Sequence, residues 1–315
     1  MKPVVWMFSG QGSQYFGMAR DLYESEPVFR RTLETCGEIL APRLGLRLDE
    51  EIYRQRPDRF APFERTRHSS PAILAVQLGV ARLLQARGQR PDLLLGYSLG
   101  ELTAGVVAGT LGLEDVLDLT VRMAEALEER APPGAMLAVL AEAALVERRP
   151  DWFAGTWIAA RNFPGHFVVS GGVPEIERLQ ARLSEAQVTF QQLPVEFAYH
   201  SPLIEPAGEA TRAALAAMAT VPGGIEVVSA SDGRTTGAPS AEVLWRTFSG
   251  PVGFDLALPV LEARGPFRYL DLGPSGTLGT FVKYALAPGS QSEVAMTVTP
   301  FGTSRQNLER LLGAR

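Results

Sequence analysis

A single cysteine, Cys36, occurs in 315 residues, so no disulfide can form within the chain. It lies in the helix-like run RRTLETCGEIL and reads as a small buried hydrophobe rather than a nucleophile. Histidine is almost as scarce: His68, His166 and His200 are the only three. No cluster with metal-ligand spacing surrounds them, which excludes an evident metal centre. Positive charge is also short. A net charge of −5 argues against a nucleic-acid partner, although a local basic patch for an acidic protein remains compatible with it. No stretch reaches the ~18 consecutive apolar residues of a membrane span. The opening MKPVVWMFSGQG breaks into glycines too soon for a secretory signal, so the expected setting is the cytoplasm, away from membranes. Internal repeats and low-complexity tracts are absent as well.

What is present is ordinary for a globular protein: 46% apolar and 21% charged residues, enough for one large domain or two smaller ones. PVVWMF (3–8) reads as a buried strand followed by the glycine turn SGQGSQ. Residues 69–88 read as a helix with Pro71 in its first turn and Gly88 past its end. The strand DLLLGY, the helix ELTAGVVAGTLG and a charged helix over 114–130 come next. APPG (131–134) is a natural boundary. Beyond it the order strand–helix–strand–strand–helix–strand matches a split ferredoxin-like unit. The expectation is an α/β body over 1–133 and 198–315, with a small α+β subdomain inserted over 134–197.

The stretch LLLGYSLGEL (93–102) carries the first chemical signal. Its GYSLG core fits the G-x-S-x-G nucleophile elbow, and it has the hydrophobic strand before it and the helix after it that the elbow requires. Such a turn lifts Ser98 Oγ above the sheet and aims the N–H of Leu99 at a developing oxyanion. Serine needs a base. His68, at a helix start in TRHSSPA, suits capping or solvation, and His166, in PGHFVVSG, belongs to a strand edge. His200, beside a proline where the chain returns from the insert, is the candidate that spacing favours, though spacing alone does not decide it.

These residues and others resemble the malonyl-CoA:acyl carrier protein transacylase family, which includes the acyltransferase domains of polyketide synthases. The matching motifs are FSGQGSQ (8–14), GYSLGE (96–101), GAM (134–136), ARNFPGHFVVSG (160–171), AYHSP (198–202) and LGPSGTL (272–278), in order over nearly the whole chain. The resemblance implies an α/β-hydrolase-like body with a ferredoxin-like insert and a discrete, trans-acting enzyme. It implies Ser98 as nucleophile, His200 as general base, and the backbone N–H groups of Gln11 and Leu99 as the oxyanion hole. It also implies a backbone carbonyl, matched to Gly253, as the group that orients the histidine. Asp271 then reads as a strand-end turn residue.

Several positions depart from the family pattern. The arginine that holds a malonyl carboxylate lies twenty-five residues beyond the nucleophile, where this chain has Met123. Arg122 is adjacent, but one helical step turns a side chain by about 100° and should send it to solvent. Leaving a buried carboxylate unpaired costs about 3–5 kcal/mol, a discrimination of roughly a hundredfold or more against malonyl. Tyr97 replaces the usual histidine before the nucleophile, Ser70 replaces a glutamine, and Phe197 and Tyr199 match neither common selectivity motif. Met123, Tyr97, Phe197, Tyr199 and Ser70 are therefore the acyl-pocket candidates.

Relatives without the arginine resemble editing hydrolases that clear acyl chains from carrier proteins, or transferases of unusual acyl groups. The favoured expectation is an acyl hydrolase acting on acyl carrier protein thioesters in polyketide biosynthesis. Non-malonyl acyl transfer, from a carrier protein or from acyl-CoA, is the alternative, with malonyl transfer behind it. No cofactor is expected to be bound, since the substrate brings its own phosphopantetheine. The chain is expected to act as a monomer with an acidic carrier protein as partner. Arg161 and Arg305 could add local positive charge for docking, although a solvated surface role suits each.

Overall fold

The computed structural model describes residues 2–54 and 61–313. Strands β1 (Val4–Phe8) and β2 (Leu93–Gly96) are continuous apolar runs, and they lie side by side in the middle of a parallel sheet whose two faces are both covered. β7 (Glu226–Ser229), β10 (Arg268–Asp271) and β11 (Glu293–Met296) extend that sheet in parallel, and β8 (Thr235–Thr236) closes one edge antiparallel. The resulting order is β11-β10-β1-β2-β7-β8.

The second sheet comes from the middle of the sequence. β3 (Gly134–Val139), β4 (Thr156–Phe163), β5 (His166–Gly172) and β6 (Phe190–Gln192) pair antiparallel in the order β6-β3-β5-β4, the ferredoxin-like arrangement. The helix Val173–Glu185 buries Ile176, Leu179 and Leu183 against this sheet, which has its own apolar core of Leu137, Val139, Phe167 and Val169. The large body reaches into it: β9 (Val252–Gly253) joins β4 in parallel at the open edge. The molecule is therefore a large α/β domain with a small ferredoxin-like subdomain, as the pattern of elements suggested.

One helix differs from the sequence reading. It runs Thr66–Ala86, so Pro71 falls inside it rather than in its first turn. The earlier start is secured from a distance, because the Thr66 N–H donates to Glu196 Oε2 at 2.7 Å across 130 residues of sequence. Pro71 then costs one intrahelical bond, to the Arg67 carbonyl. His68 sits in the first turn of this helix and is buried, so of the two expected roles, capping or solvation, the second does not hold. Cys36 is buried too, and desolvation pushes its thiol up to about 12, which leaves it inert.

Candidate active site

Loops leaving the carboxyl ends of neighbouring parallel strands meet above the sheet. Phe8 pairs with Gly96, so the turn after β1 and the turn after β2 emerge together. In the second turn Ser98 has φ 52°, a left-handed conformation that is strained for a serine. Glycines make it possible. A Cβ on Gly96 would collide with the Glu101 backbone, and one on Gly100 with the Phe8 carbonyl, so neither position accepts a larger residue. The helix Gly100–Ala108 starts at once, with Gly100 N–H bonded to Tyr97 O and Glu101 N–H to Ser98 O.

The turn after β1 is held from below. Gln77, buried in the Thr66–Ala86 helix, accepts from the Ser9 N–H at 2.6 Å and donates to the Ser9 carbonyl at 3.2 Å. Gln11 donates from Nε2 to Ser70 Oγ at 2.8 Å, and its buried Oε1 has no partner. Gly10 packs directly on the elbow, since a Cβ there would come within 3.0 Å of Ser98 Cβ. Among the described residues nothing accepts from the N–H of Leu99 or of Gln11. Two backbone donors, from two adjacent turns, are thus left for a ligand oxygen.

His200 also has positive φ, 58°, and is fixed by its own N–H bonded to Phe248 O at 3.0 Å. Its Nε2 lies 3.0 Å from Ser98 Oγ and its Nδ1 2.7 Å from the Gly250 carbonyl. A carbonyl only accepts, so Nδ1 carries the proton and Nε2 presents a lone pair to the serine hydroxyl. Burial lowers this imidazole to about 4, with the Gly250 bond working the other way, so it is neutral near pH 7. The pair can pass the serine proton to nitrogen without any carboxylate.

The orienting carbonyl is Gly250, not Gly253 as counted from the motif. The Gly253 N–H is engaged with Ser231 O, and its residue pairs in β9 with Arg161. The turn at the end of the helix Ala241–Ser249 brings Gly250 nearer the imidazole. Asp271 plays the expected structural part: its two carboxylate oxygens accept from the N–H groups of Gly273 and Gly279.

Glu101 is a residue that sequence reasoning passed over. It is buried under the elbow and accepts from Ser229 Oγ and from Thr247 Oγ1, the latter at 3.3 Å. Desolvation raises its pKa to about 7, partly offset by those two hydroxyls, and Asp232 adds to the rise. Thr247 precedes Phe248 and Gly250, the two residues whose carbonyls hold His200. A buried carboxyl therefore ties the elbow helix to the segment that holds the imidazole.

A cavity of about 370 Å³ opens beside the elbow, between the large body and the small sheet. Of the acyl-pocket candidates, Tyr97 lines it; Met123, Ser70, Phe197 and Tyr199 are not on its wall. Met123 is buried in the main core, and Arg122 points outward to an ion pair with Asp118. Ser70 holds Gln11. Tyr199 donates to Thr66 Oγ1 and packs edge-on to Phe197. No lysine or arginine lines the cavity among the described residues. Residues from distant parts of the chain complete its wall: Asn162, His166 and Phe281. Ser98 and His200 are not themselves on this wall, which reaches the elbow through Tyr97, Gly10 and Gln11. A larger hollow of about 970 Å³, walled by Tyr15, Phe16, Phe63 and Phe301, contains neither of the pair and does not include Tyr97.

The family model described as acyl transferase domain matches residues 5–312. The chain is 35% identical over 307 residues to the polyketide biosynthesis acyltransferase homolog PksD of Bacillus subtilis (strain 168), covering 98% of this chain and 95% of that protein. Among solved structures it resembles a loading acyltransferase from the avermectin modular polyketide synthase, with a TM-score of 0.88 at 30% identity over 99% of both chains. It also resembles the malonyl-CoA:acyl carrier protein transacylase of Xanthomonas oryzae pv. oryzae, with a TM-score of 0.85 at 30% identity, covering 100% of this chain and 98% of that one.

Proposed function

We propose that this chain, which belongs to the acyl transferase domain family, is a discrete enzyme of polyketide biosynthesis that removes non-malonyl acyl groups from acyl carrier protein as an editing acyl hydrolase. Ser98 Oγ attacks the thioester carbonyl while His200 Nε2 takes its proton, the arrangement that their 3.0 Å separation supports. The N–H groups of Leu99 and Gln11 stabilise the tetrahedral oxyanion. When the C–S bond breaks, the proton on Nε2 passes to the departing pantetheine sulfur and leaves acyl-Ser98 and a free thiol. His200 then removes a proton from water, which attacks the ester, and returns it to Ser98 Oγ as the free acid departs. No bound cofactor takes part. A water-soluble, cytoplasmic, monomeric enzyme fits this role, and no described helix is long and apolar enough to cross a membrane.

The observation that carries the substrate preference is Met123 in the core with Arg122 turned to Asp118, so the cavity wall has no arginine or lysine among its described residues. A dicarboxylic acyl group would enter without a counterion. The relatives' name, acyltransferase homolog, favours a second reading in which a carrier thiol replaces water in the second half-reaction. For docking, Arg305 is an exposed residue paired with Glu309, and Arg161 is exposed on β4.

The test is to offer malonyl, acetyl and longer acyl groups as carrier-protein thioesters and follow both the mass of Ser98 and the free acid. Monoacid chains should load at least ~100-fold faster than malonyl and appear as acid. Rapid malonylation defeats the chain preference. A stable adduct that only a carrier thiol discharges would establish transfer instead of hydrolysis.

A further inference from the structure

A second histidine borders the cavity and has no part in the chemistry above. His166 begins β5, and its ring is held between Phe163, stacked at 5.0 Å, and Phe281 at 5.2 Å. A polar chain leads to it from the residue next to the nucleophile. The Tyr97 hydroxyl donates to Asn162 Oδ1 at 2.8 Å, and Asn162 Nδ2 lies 3.0 Å from His166 Nδ1. The direction of this chain follows from its first link. Asn162 Oδ1 is the only acceptor for the Tyr97 proton among the described residues, so reversing the amide would strand a phenol proton on a ring that Phe254 and Phe281 crowd. With Oδ1 so engaged, the amide nitrogen donates and Nδ1 accepts.

Two consequences follow. Burial lowers the pKa of His166, with a contact to its own backbone working the other way, so the ring is neutral at pH 7. With Nδ1 accepting from Asn162, its one proton is on Nε2. Nε2 has no partner among the described residues, in a ring on the wall of the cavity that also includes Tyr97, Gly10 and Gln11. The wall thus holds a fixed N–H donor, backed by two linked side chains, Asn162 and Tyr97, between the serine turn and the small sheet.

We propose that His166 is a substrate-binding residue whose Nε2–H donates to a carbonyl or hydroxyl oxygen of the bound thioester. This rests on the thioester reading above. The oxygen has two sources, an amide carbonyl of the pantetheine arm or an oxygen substituent on the acyl chain. Either would find in this cavity a neutral donor rather than a cation, in keeping with an uncharged ligand.

The experiment compares wild type with His166→Phe and His166→Gln. Gln is the rescue variant, because its carbonyl can accept from Asn162 while its amide still donates. Three substrates separate the sources: octanoyl pantetheine, 3-hydroxyoctanoyl hexanethiol thioester, and octanoyl hexanethiol thioester, which has neither oxygen. The readout is the concentration dependence of Ser98 acylation, with circular dichroism to confirm folding and His166→Leu available if the Phe variant does not fold. His166→Phe should raise the half-saturating concentration about tenfold for whichever oxygen-bearing substrate is recognised. The limiting rate and the plain thioester should be unchanged, and Gln should restore the wild-type value to within about twofold. A loss confined to the pantetheine substrate assigns the arm, and one confined to the hydroxy substrate assigns the chain. Equal loss on all three, or no loss on any, overturns the proposal. Failure of every thioester to label wild-type Ser98 is a different result and would defeat the thioester reading itself.

Discussion

His200 and His166 are both neutral and both near the elbow turn, His200 buried against Ser98 and His166 on the cavity wall, yet they carry their protons on opposite nitrogens. His200 Nδ1 faces a backbone carbonyl, so its working atom Nε2 has a lone pair. His166 Nδ1 faces an amide N–H, so its Nε2 has a hydrogen. One neighbouring atom decides whether an imidazole is a base or a donor. The supports differ as well. Backbone groups of the large body hold His200, whereas side chains running from the elbow to the small sheet hold His166. Backbone support tolerates drift in sequence; a side-chain relay can be retuned by a single substitution.

The largest effect should come from exchanging their roles. His200→Ala should slow Ser98 acylation by roughly a thousandfold or more, measured as adduct mass against time, while His166→Phe leaves the limiting rate intact. If His166→Phe abolishes acylation in a folded protein, the division between base and donor is wrong.

Next in size is the pH response. His200 is lowered to about 4, so it contributes stability above its ordinary 6.5 that is lost as pH falls through 4. Glu101 is raised from 4.5 to about 7, so its contribution is full below 4.5 and is lost as pH rises through 7. Between pH 4.5 and 6.5 the two oppose each other. Glu101→Gln removes the falling contribution and should gain about 3 kcal/mol on wild type between pH 4.5 and 7, read from urea midpoints at each pH. The same variant tests the tether to Thr247. His200 is still the free base at pH 5, so an acid limb near pH 7 in wild-type acylation belongs to Glu101 and should move towards pH 4 in the variant. A limb that stays near 7 would detach Glu101 from His200.

The relay from Tyr97 offers a smaller change. Tyr97→Phe removes the bond that orients Asn162 and lets the amide reverse, which would leave His166 with Nε2 as an acceptor. Affinity for the oxygen-bearing thioester should fall about threefold to tenfold, with the plain thioester unaffected. Loss of affinity for both would mean that the phenol acts by filling space.

Much of this was legible in the residues because its causes are local. Leu93–Gly96 is a buried strand, and the glycines at 96 and 100 are dictated by contacts within the turn and with β1, so the elbow shows in a pentapeptide and its flanks. The insert showed because its elements alternate in a recognisable order. The misses share another cause. Gly250 rather than Gly253 faces His200 because the path of a loop sets that contact, and motif counting cannot see loop paths. The start at Thr66 depends on Glu196, and the burial of His68 on the same early turn. The cavity wall is assembled from Gln11, Tyr97, Asn162, His166 and Phe281, far apart in sequence, and of the five chosen pocket residues only Tyr97 is on it. Even there a sign existed: His68, His166 and His200 are the only histidines, and a residue that scarce at the start of a strand merits a functional question.

The smallest expected effect is the one that bears most on substrate class. Arg122 is more than half exposed and pairs with Asp118 one helical turn away. Such surface pairs contribute about 0–1 kcal/mol, and Arg122→Ala should therefore leave the melting temperature and both loading rates almost unchanged. The ratio of octanoyl to malonyl loading is the sensitive quantity, since it cancels any general loss of activity. If Arg122 reached the acyl group and paired with a free carboxylate there, its removal would depress malonyl loading selectively. A helix would then have to slip by about 100°, carrying Met123 out of the core where it is 2% exposed. An unchanged ratio keeps the guanidinium at the surface and leaves uncharged wall groups, with the His166 donor among them, to choose the chain.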